Sequence, residues 1–334
     1  MIGGDIVVTG TIRWGILGTG WIANEFARGL AQLADAELVA VGSRTLASAN
    51  HFAGRFQVPR RHSTYQALAE DPDVDVIYVA TPNPMHREHT LLCLASGKPV
   101  LCEKPFALNA GEAVEMIQTA REKGIFLMEA MWTRFFSLMA RVRALVNEGA
   151  IGEVQMLIAD LCIRFDFDPA DRRYAPELGG GALLDLGVYP LSFASMIMGS
   201  PSSITATAYL GETGVDEQAG VVLIYDGGRV STLYTSIRVD SPVEAILLGT
   251  RGQIRIHPWW IHPDKLTLSV SGQDAKTIEE PYVGNGYQFE AAEVMACLRA
   301  GKLESDLMPL DETLSIVETL DAIRAQWGLR YPGE

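Results

Sequence analysis

From Thr11 to Met128 the chain alternates short apolar runs with amphipathic stretches, and that rhythm leaves few folds open. Ile12–Leu17, Glu37–Gly42, Val74–Ala80, Val100–Cys102 and Ile125–Met128 read as buried strands. Between them, Trp21–Leu33, Leu46–Phe56, Tyr65–Ala69, Met85–Ser96 and Asn109–Lys123 carry helical spacing, with Gly97 and Gly124 as stops. Alternation of this kind builds a parallel, doubly wound sheet. After helix Phe136–Glu148 the rhythm changes to β-rich runs between Val154 and Val270, then to two helices, Tyr287–Ala300 and Asp311–Gly328. The expected fold class is α/β, an N-terminal Rossmann domain plus a C-terminal α+β domain with a large, open, mainly antiparallel sheet. With 334 residues the chain exceeds a single core, and the boundary is expected near Ala130, giving domains 1–130 and 131–334, with 1–11 as a loose tail.

Gly18-Thr19-Gly20-Trp21-Ile22-Ala23 reads GxGxxA between the first strand and the first helix. The first glycine makes the tight turn, the second lets backbone approach a pyrophosphate, and the small sixth residue lets helix and strand pack closely. The helix N-terminus then offers its N–H groups to phosphate. Roughly 20 residues on, an NAD site offers an acid to the ribose 2′-hydroxyl. Here the second strand ends Gly42-Ser43-Arg44-Thr45, without an acid. Arg44 and Ser43 suit a 2′-phosphate, so NADP(H) is expected over NAD(H). Stacking of Arg44 on the adenine is the alternative, and would admit either cofactor.

Two further segments carry chemistry. Glu103-Lys104-Pro105 leaves an apolar strand at its carboxyl end, where such sheets bind ligands. Gly179-Gly180-Gly181-Ala182-Leu183-Leu184-Asp185-Leu186-Gly187-Val188-Tyr189-Pro190 sets a carboxylate and a phenol four apart in an apolar helical stretch. Side chains at that spacing share a helix face, and their burial demands partners.

GILGTGWIA, ATPNPMHREH, GKPVLCEKPF, MEAMWTRFF and GGGALLDLGVYPL, in this order, resemble the glucose–fructose oxidoreductase/inositol dehydrogenase (Gfo/Idh/MocA) family. Within it, the likeness is greatest to the dimeric dihydrodiol dehydrogenase and NADP-dependent D-xylose dehydrogenase branch. The resemblance implies that Lys104 lies near the nicotinamide and the reacting oxygen, that Tyr189 is the general acid/base where many members carry His, and that Asp185 orients substrate or the acid/base. It implies that Thr81, Pro82, Asn83, His86 and Glu103 border the cofactor, and that Trp132 and Arg134 line the pocket at the domain junction. The chemistry agrees. A phenol ionises near pH ~10, too high for a base at neutrality, and a nearby ammonium lowers that value. The expected reaction is hydride transfer between nicotinamide and a sugar, polyol or diol carbon. Arg172, Arg173 and Tyr174, in the loop before the glycines, are candidates for substrate hydroxyls, Arg173 above all. Alternatives are an NADP(H)-sensing protein without turnover, or a reductase of another substrate class on the same scaffold.

A net charge of −14 disfavours nucleic acid and anionic membrane as partners. Cys93, Cys102, Cys162 and Cys297 lie in apolar surroundings with no CxxC pair, and Met1–Thr11 lacks a basic start, so a cytoplasmic protein is expected. His86 and His89 lack further ligands at metal spacing. An exposed antiparallel sheet face must be covered, and the family resemblance implies that it pairs with a second subunit, so a homodimer is the expected assembly.

Overall fold

A computed structural model describes residues 10–334, so most of the expected tail, 1–9, lies outside the described residues. The chain divides into two compact units. One comprises the described residues up to Trp132 together with Val283–Leu314, and the other comprises Thr133–Tyr282 with Ser315–Glu334.

The first unit is a six-stranded parallel sheet of β1 (Ile12–Leu17), β2 (Ala36–Gly42), β3 (Arg60–His62), β4 (Val76–Val79), β5 (Val100–Glu103) and β6 (Leu127–Ala130). The order is β3-β2-β1-β4-β5-β6, every neighbouring pair parallel. The direction of winding therefore reverses between β1 and β4, the switch point at which such sheets bind ligands. Helices α1 (Trp21–Leu30), α2 (Leu46–Phe56), α3 (Tyr65–Ala69), α4 (His86–Ala95) and α5 (Ala110–Lys123) connect the strands. Asn109 caps α5 by accepting from Glu112 N at 3.0 Å, and Gly124 closes it at φ +63°. The Glu112 carboxylate reaches back to Leu108 N at 3.1 Å.

Residues 283–314, counted from sequence with the second domain, pack into this first unit. Gly29 of α1 explains why. A Cβ there would sit 2.9 Å from Tyr287 Cβ and from Gln288 N, so only glycine admits the helix Tyr287–Arg299 so closely. Asn285 Nδ2 donates to Glu25 O at 2.9 Å, and Leu127 N donates to Leu303 O at 3.1 Å along the edge of β6.

The second unit opens with α6 (Ser137–Asn147) and contains an eight-stranded sheet. Its strands are β7 (Val154–Cys162), β8 (Ser203–Leu210), β9 (Asp216–Ile224), β10 (Val230–Ser236), β11 (Ala245–Gly249), β12 (Gly252–Ile256), β13 (Lys265–Val270) and β14 (Lys276–Glu279). The order is β14-β13-β12-β11-β7-β10-β9-β8, antiparallel except for the β7–β10 pair. Between β7 and β8, α7 (Val188–Met198) lies against one sheet face, where Leu157, Ala159, Leu233, Val221 and Leu223 are buried. The opposite face leaves Met156, Tyr209 and Tyr234 at 36%, 49% and 40% exposure. The helix Tyr287–Arg299 is α8, and the last, α9 (Leu310–Trp327), begins in the first unit and continues into the second.

Candidate active site

β1 delivers the chain into the glycine turn. Gly18 has φ +112°, and a Cβ on it would meet Ala80 O at 2.7 Å, so conformation and space both demand glycine. A Cβ on Gly20 would meet nothing within 4 Å, so backbone here is open to a ligand. Ala23 is fully buried where α1 packs on the sheet. No side chain caps α1, and its first-turn residues Trp21 and Ile22 stand at the open end of the helix. This turn fits the pyrophosphate of a dinucleotide in shape and in the polarity of its free N–H groups.

At the end of β2, Ser43 is buried, its N–H bonded to His62 O at 3.1 Å, and its hydroxyl lies 3.4 Å from Thr19 Oγ1. Arg44 is exposed beside it, and no acid is present in this turn. Burial pushes the Tyr65 phenol up while the Arg44 charge draws it down, which places a cation and an aromatic ring near one another. Tyr65 meets His89 edge-on at 4.5 Å. A cleft of about 460 Å³ runs between Thr19 and Asn24 on one side and Ser48, His51, Phe52 and Arg55 on the other. His51 and Arg55 were not singled out from sequence. The available signal was their helical spacing after Ser48 on one face of α2.

Thr81, Pro82 and Asn83 leave β4 on the other side of the switch point. His86 does not face outward. It is fully buried, with Nδ1 2.8 Å from Pro105 O and Nε2 2.8 Å from Thr81 O, so one imidazole braces the loops after β4 and β5. Burial pulls it down to about 4 although both carbonyls raise it. His89 Nδ1 lies 3.0 Å from Thr81 Oγ1.

Glu103, the last residue of β5, is buried and accepts from the Tyr78 hydroxyl and from Lys104 N at 3.0 Å. Lys104 thus starts where β5 ends, its backbone fixed by the preceding carboxylate. Sequence reading missed Glu290 of α8. It is fully buried, and neither carboxylate oxygen has a hydrogen-bond partner among the described residues. Burial, then the Glu103 charge, push it well above the usual carboxylate range. Trp132 stacks on Tyr287 at 4.4 Å and 6°.

In the second unit, Leu183–Gly187 forms a π-helical turn that runs into α7. Such turns recur at functional sites. Asp185 and Tyr189 are 6% and 7% exposed on this continuous helical segment. Arg172 holds Asp185 with two bonds, Nη1 to Oδ1 at 3.1 Å and Nη2 to Oδ2 at 3.2 Å. Arg173, the favoured substrate candidate, turns elsewhere. Its Nε and Nη2 each lie 2.6 Å from the Asp171 carboxylate, and its guanidinium covers Phe165 at 3.8 Å. The two neighbours follow each other in a tight turn and so point apart. Arg134 is buried and donates to Ser192 Oγ at 2.9 Å and Ser192 O at 2.8 Å, bracing α7 one turn beyond Tyr189.

Taken separately, the two units present a dinucleotide-type turn with a lysine at a strand end, and a buried carboxylate–phenol pair on a helix. Comparison with known proteins defines the class. Residues 12–131 match the Gfo/Idh/MocA oxidoreductase family, NAD-binding Rossmann fold, and residues 139–255 match a GFO/IDH/MocA C-terminal domain. The chain belongs to the Gfo/Idh/MocA family of oxidoreductases. Among its relatives is the trans-1,2-dihydrobenzene-1,2-diol dehydrogenase of Mus musculus, 40% identical over 333 residues and covering 96% of this chain and 98% of the relative. Among solved structures, an aldose-aldose oxidoreductase from Caulobacter crescentus complexed with glycerol superposes with a TM-score of 0.86 at 25% identity, covering 96% of this chain and 98% of that one. A 3-ketoreductase from Actinomadura kijaniata in complex with NADP and TDP-benzene gives 0.85 at 25% identity, covering 94% and 97%.

Proposed function

We propose that this protein transfers hydride between NADP(H) and a hydroxyl-bearing carbon of a diol or sugar. The observation that carries the reading is likeness along nearly the whole chain to dihydrodiol dehydrogenases, in a chain that carries Lys104 at the end of β5 and Asp185 and Tyr189 on one helical segment. The Caulobacter aldose oxidoreductase and the NADP-bound Actinomadura ketoreductase support the same class.

Gly18, Thr19, Gly20 and the first turn of α1 would hold the pyrophosphate, and Ser43 and Arg44 the 2′-phosphate. When bound, the nicotinamide supplies the hydride chemistry. The remaining work belongs to the protein. Oxidation of CH–OH releases a proton from oxygen, and Tyr189 takes it as phenolate, or returns it in the reverse direction. The Lys104 ammonium favours the phenolate and the alkoxide-like oxygen as charge develops. Asp185, oriented by Arg172, anchors a neighbouring substrate hydroxyl, which gives preference to substrates with adjacent hydroxyls. The uncovered sheet face carrying Met156, Tyr209 and Tyr234 suits a second copy of the chain, in keeping with a cytoplasmic homodimer.

The test is NADP⁺ reduction across a panel of trans-dihydrodiols, aldoses and polyols. Turnover with at least one vicinal diol or sugar is expected. NADPH binding without turnover across the panel would favour the sensing alternative.

A further inference from the structure

The helical segment bearing Asp185 and Tyr189 is held by residues far away in sequence. Asp216, at the start of β9, is fully buried, and its Oδ2 accepts from Leu183 N at 2.7 Å. Its Oδ1 has no hydrogen-bond partner among the described residues. It sits where a Cβ on Gly181 would be, 2.2 Å away, and Gly181 has φ +118°. Any other residue at 181 would displace the carboxylate or unwind the turn. The neighbouring Gly180 is equally confined, since a Cβ there would lie 2.9 Å from the carbonyl oxygens of Ala175 and Arg173 and 3.0 Å from that of Arg172. Gly180 O in turn accepts from the Tyr331 hydroxyl at 2.6 Å. Tyr331 N donates to Glu334 Oε2 at 2.7 Å, and the Glu334 carboxylate takes two bonds of 2.9 Å from buried Arg324.

We propose that Asp216 is the positioning residue for Asp185 and Tyr189, fixing where the π-helical turn begins and hence which way both side chains point. The proposal rests on the reading of Tyr189 as the acid/base and Asp185 as the substrate anchor. Its physical basis is register. A turn bonded five residues apart and one bonded four apart place residue 189 at different angles from residue 183. The first N–H of the turn is otherwise an orphan donor, free to shift the start by one residue. Asp216 removes that freedom from a strand paired on both sides, with β10 and β8. The groups facing its carboxylate are Arg324 and Tyr331, and Asp321 and Glu334 neutralise Arg324. Burial pushes Asp216 up to about 7 despite the Leu183 N–H and Arg324, so its charge changes near neutrality.

Two variants test this. Asp216→Ala should lower kcat by on the order of tenfold to a hundredfold, the scale of a small misplacement of reacting groups. NADPH affinity, read by cofactor fluorescence, should stay unchanged, because the glycine turn is built within the other unit. Asp216→Asn keeps an oxygen for Leu183 N, so it should recover most of kcat and abolish the step near pH 7 in the kcat profile. Wild-type kcat in Asp216→Ala, or equal damage in both variants, would overturn the proposal. If the alanine variant does not fold, the asparagine variant decides, since a loss of kcat in it as large as that expected for alanine counts against an anchor made through Leu183 N. Amide exchange of Leu183–Gly187, faster in Asp216→Ala than in Asp216→Asn, reads the anchor without any assay. Full turnover in Tyr189→Phe would instead sink the acid/base reading, and the exchange result would still judge the anchor.

Discussion

The two units build their candidate functional segments by different means. In the first, the proposed cofactor turn is written into backbone over a few residues. Gly18 turns at φ +112°, Gly20 leaves its surface open, and the helix N-terminus does the rest. In the second, a similar stretch of helix becomes useful only through remote side chains: Arg172 on Asp185, Asp216 on Leu183, Tyr331 on Gly180, Arg134 on Ser192. A turn made from backbone is most sensitive at its glycines. A side-chain-made site is exposed to substitution at a distance.

That contrast can be broken or sharpened by measurement. Lys104→Ala stands at the join of backbone and side-chain logic, and should cost the most, about 10²- to 10⁴-fold in turnover, the usual weight of acid–base assistance. Steady-state kinetics with saturating NADP⁺ checks it. Gly18→Ala should weaken NADPH binding by at least about tenfold while the second unit keeps its folding, because a side chain is strained there whatever the space. Fluorescence titration together with thermal melting separates the two effects. Arg44→Ala should cost NADPH roughly tenfold or more, the range of a charge-assisted bond, and leave NADH untouched. Equal losses for both nucleotides would assign Arg44 to the adenine instead.

The smallest effect is on stability. Asp216 stays protonated in the folded chain up to about 7, against an ordinary value of 3.8. Between those values the unfolded chain gives up a proton that the native chain keeps, so native stability falls as pH rises through this window. Asp216→Asn removes that term. The melting temperature of the wild type relative to the variant should therefore decline by a few degrees from pH ~4 to ~7. His86, held down to about 4, acts in the opposite sense, and its part cancels in the comparison.

What could be read from sequence follows the same division. Five of the six parallel strands and the GxGxxA turn were legible because each rests on local apolar period and on glycine placement. Only β3 escaped, since Arg60–His62 is charged and three residues long. β14 escaped similarly, a four-residue polar edge over Lys276–Glu279. The choice between Arg172 and Arg173 was not legible, because which neighbour meets Asp185 depends on the turn that Asp171 caps by accepting from Arg173 N at 2.9 Å. Nor was the π-helical turn, whose cause, Asp216, lies 33 residues beyond Leu183. The return of residues 283–314 to the first unit was announced only by Gly29, a glycine inside a helix whose meaning is close packing with α8.

The central claim is that Tyr189 moves the proton while the nicotinamide moves the hydride. Its most direct test is Tyr189→Phe, assayed for NADP⁺ reduction with the best substrate of the panel beside an NADPH fluorescence titration. Turnover should fall by about 10²-fold or more with cofactor affinity intact. A phenylalanine variant that turns over at the wild-type rate would contradict the account.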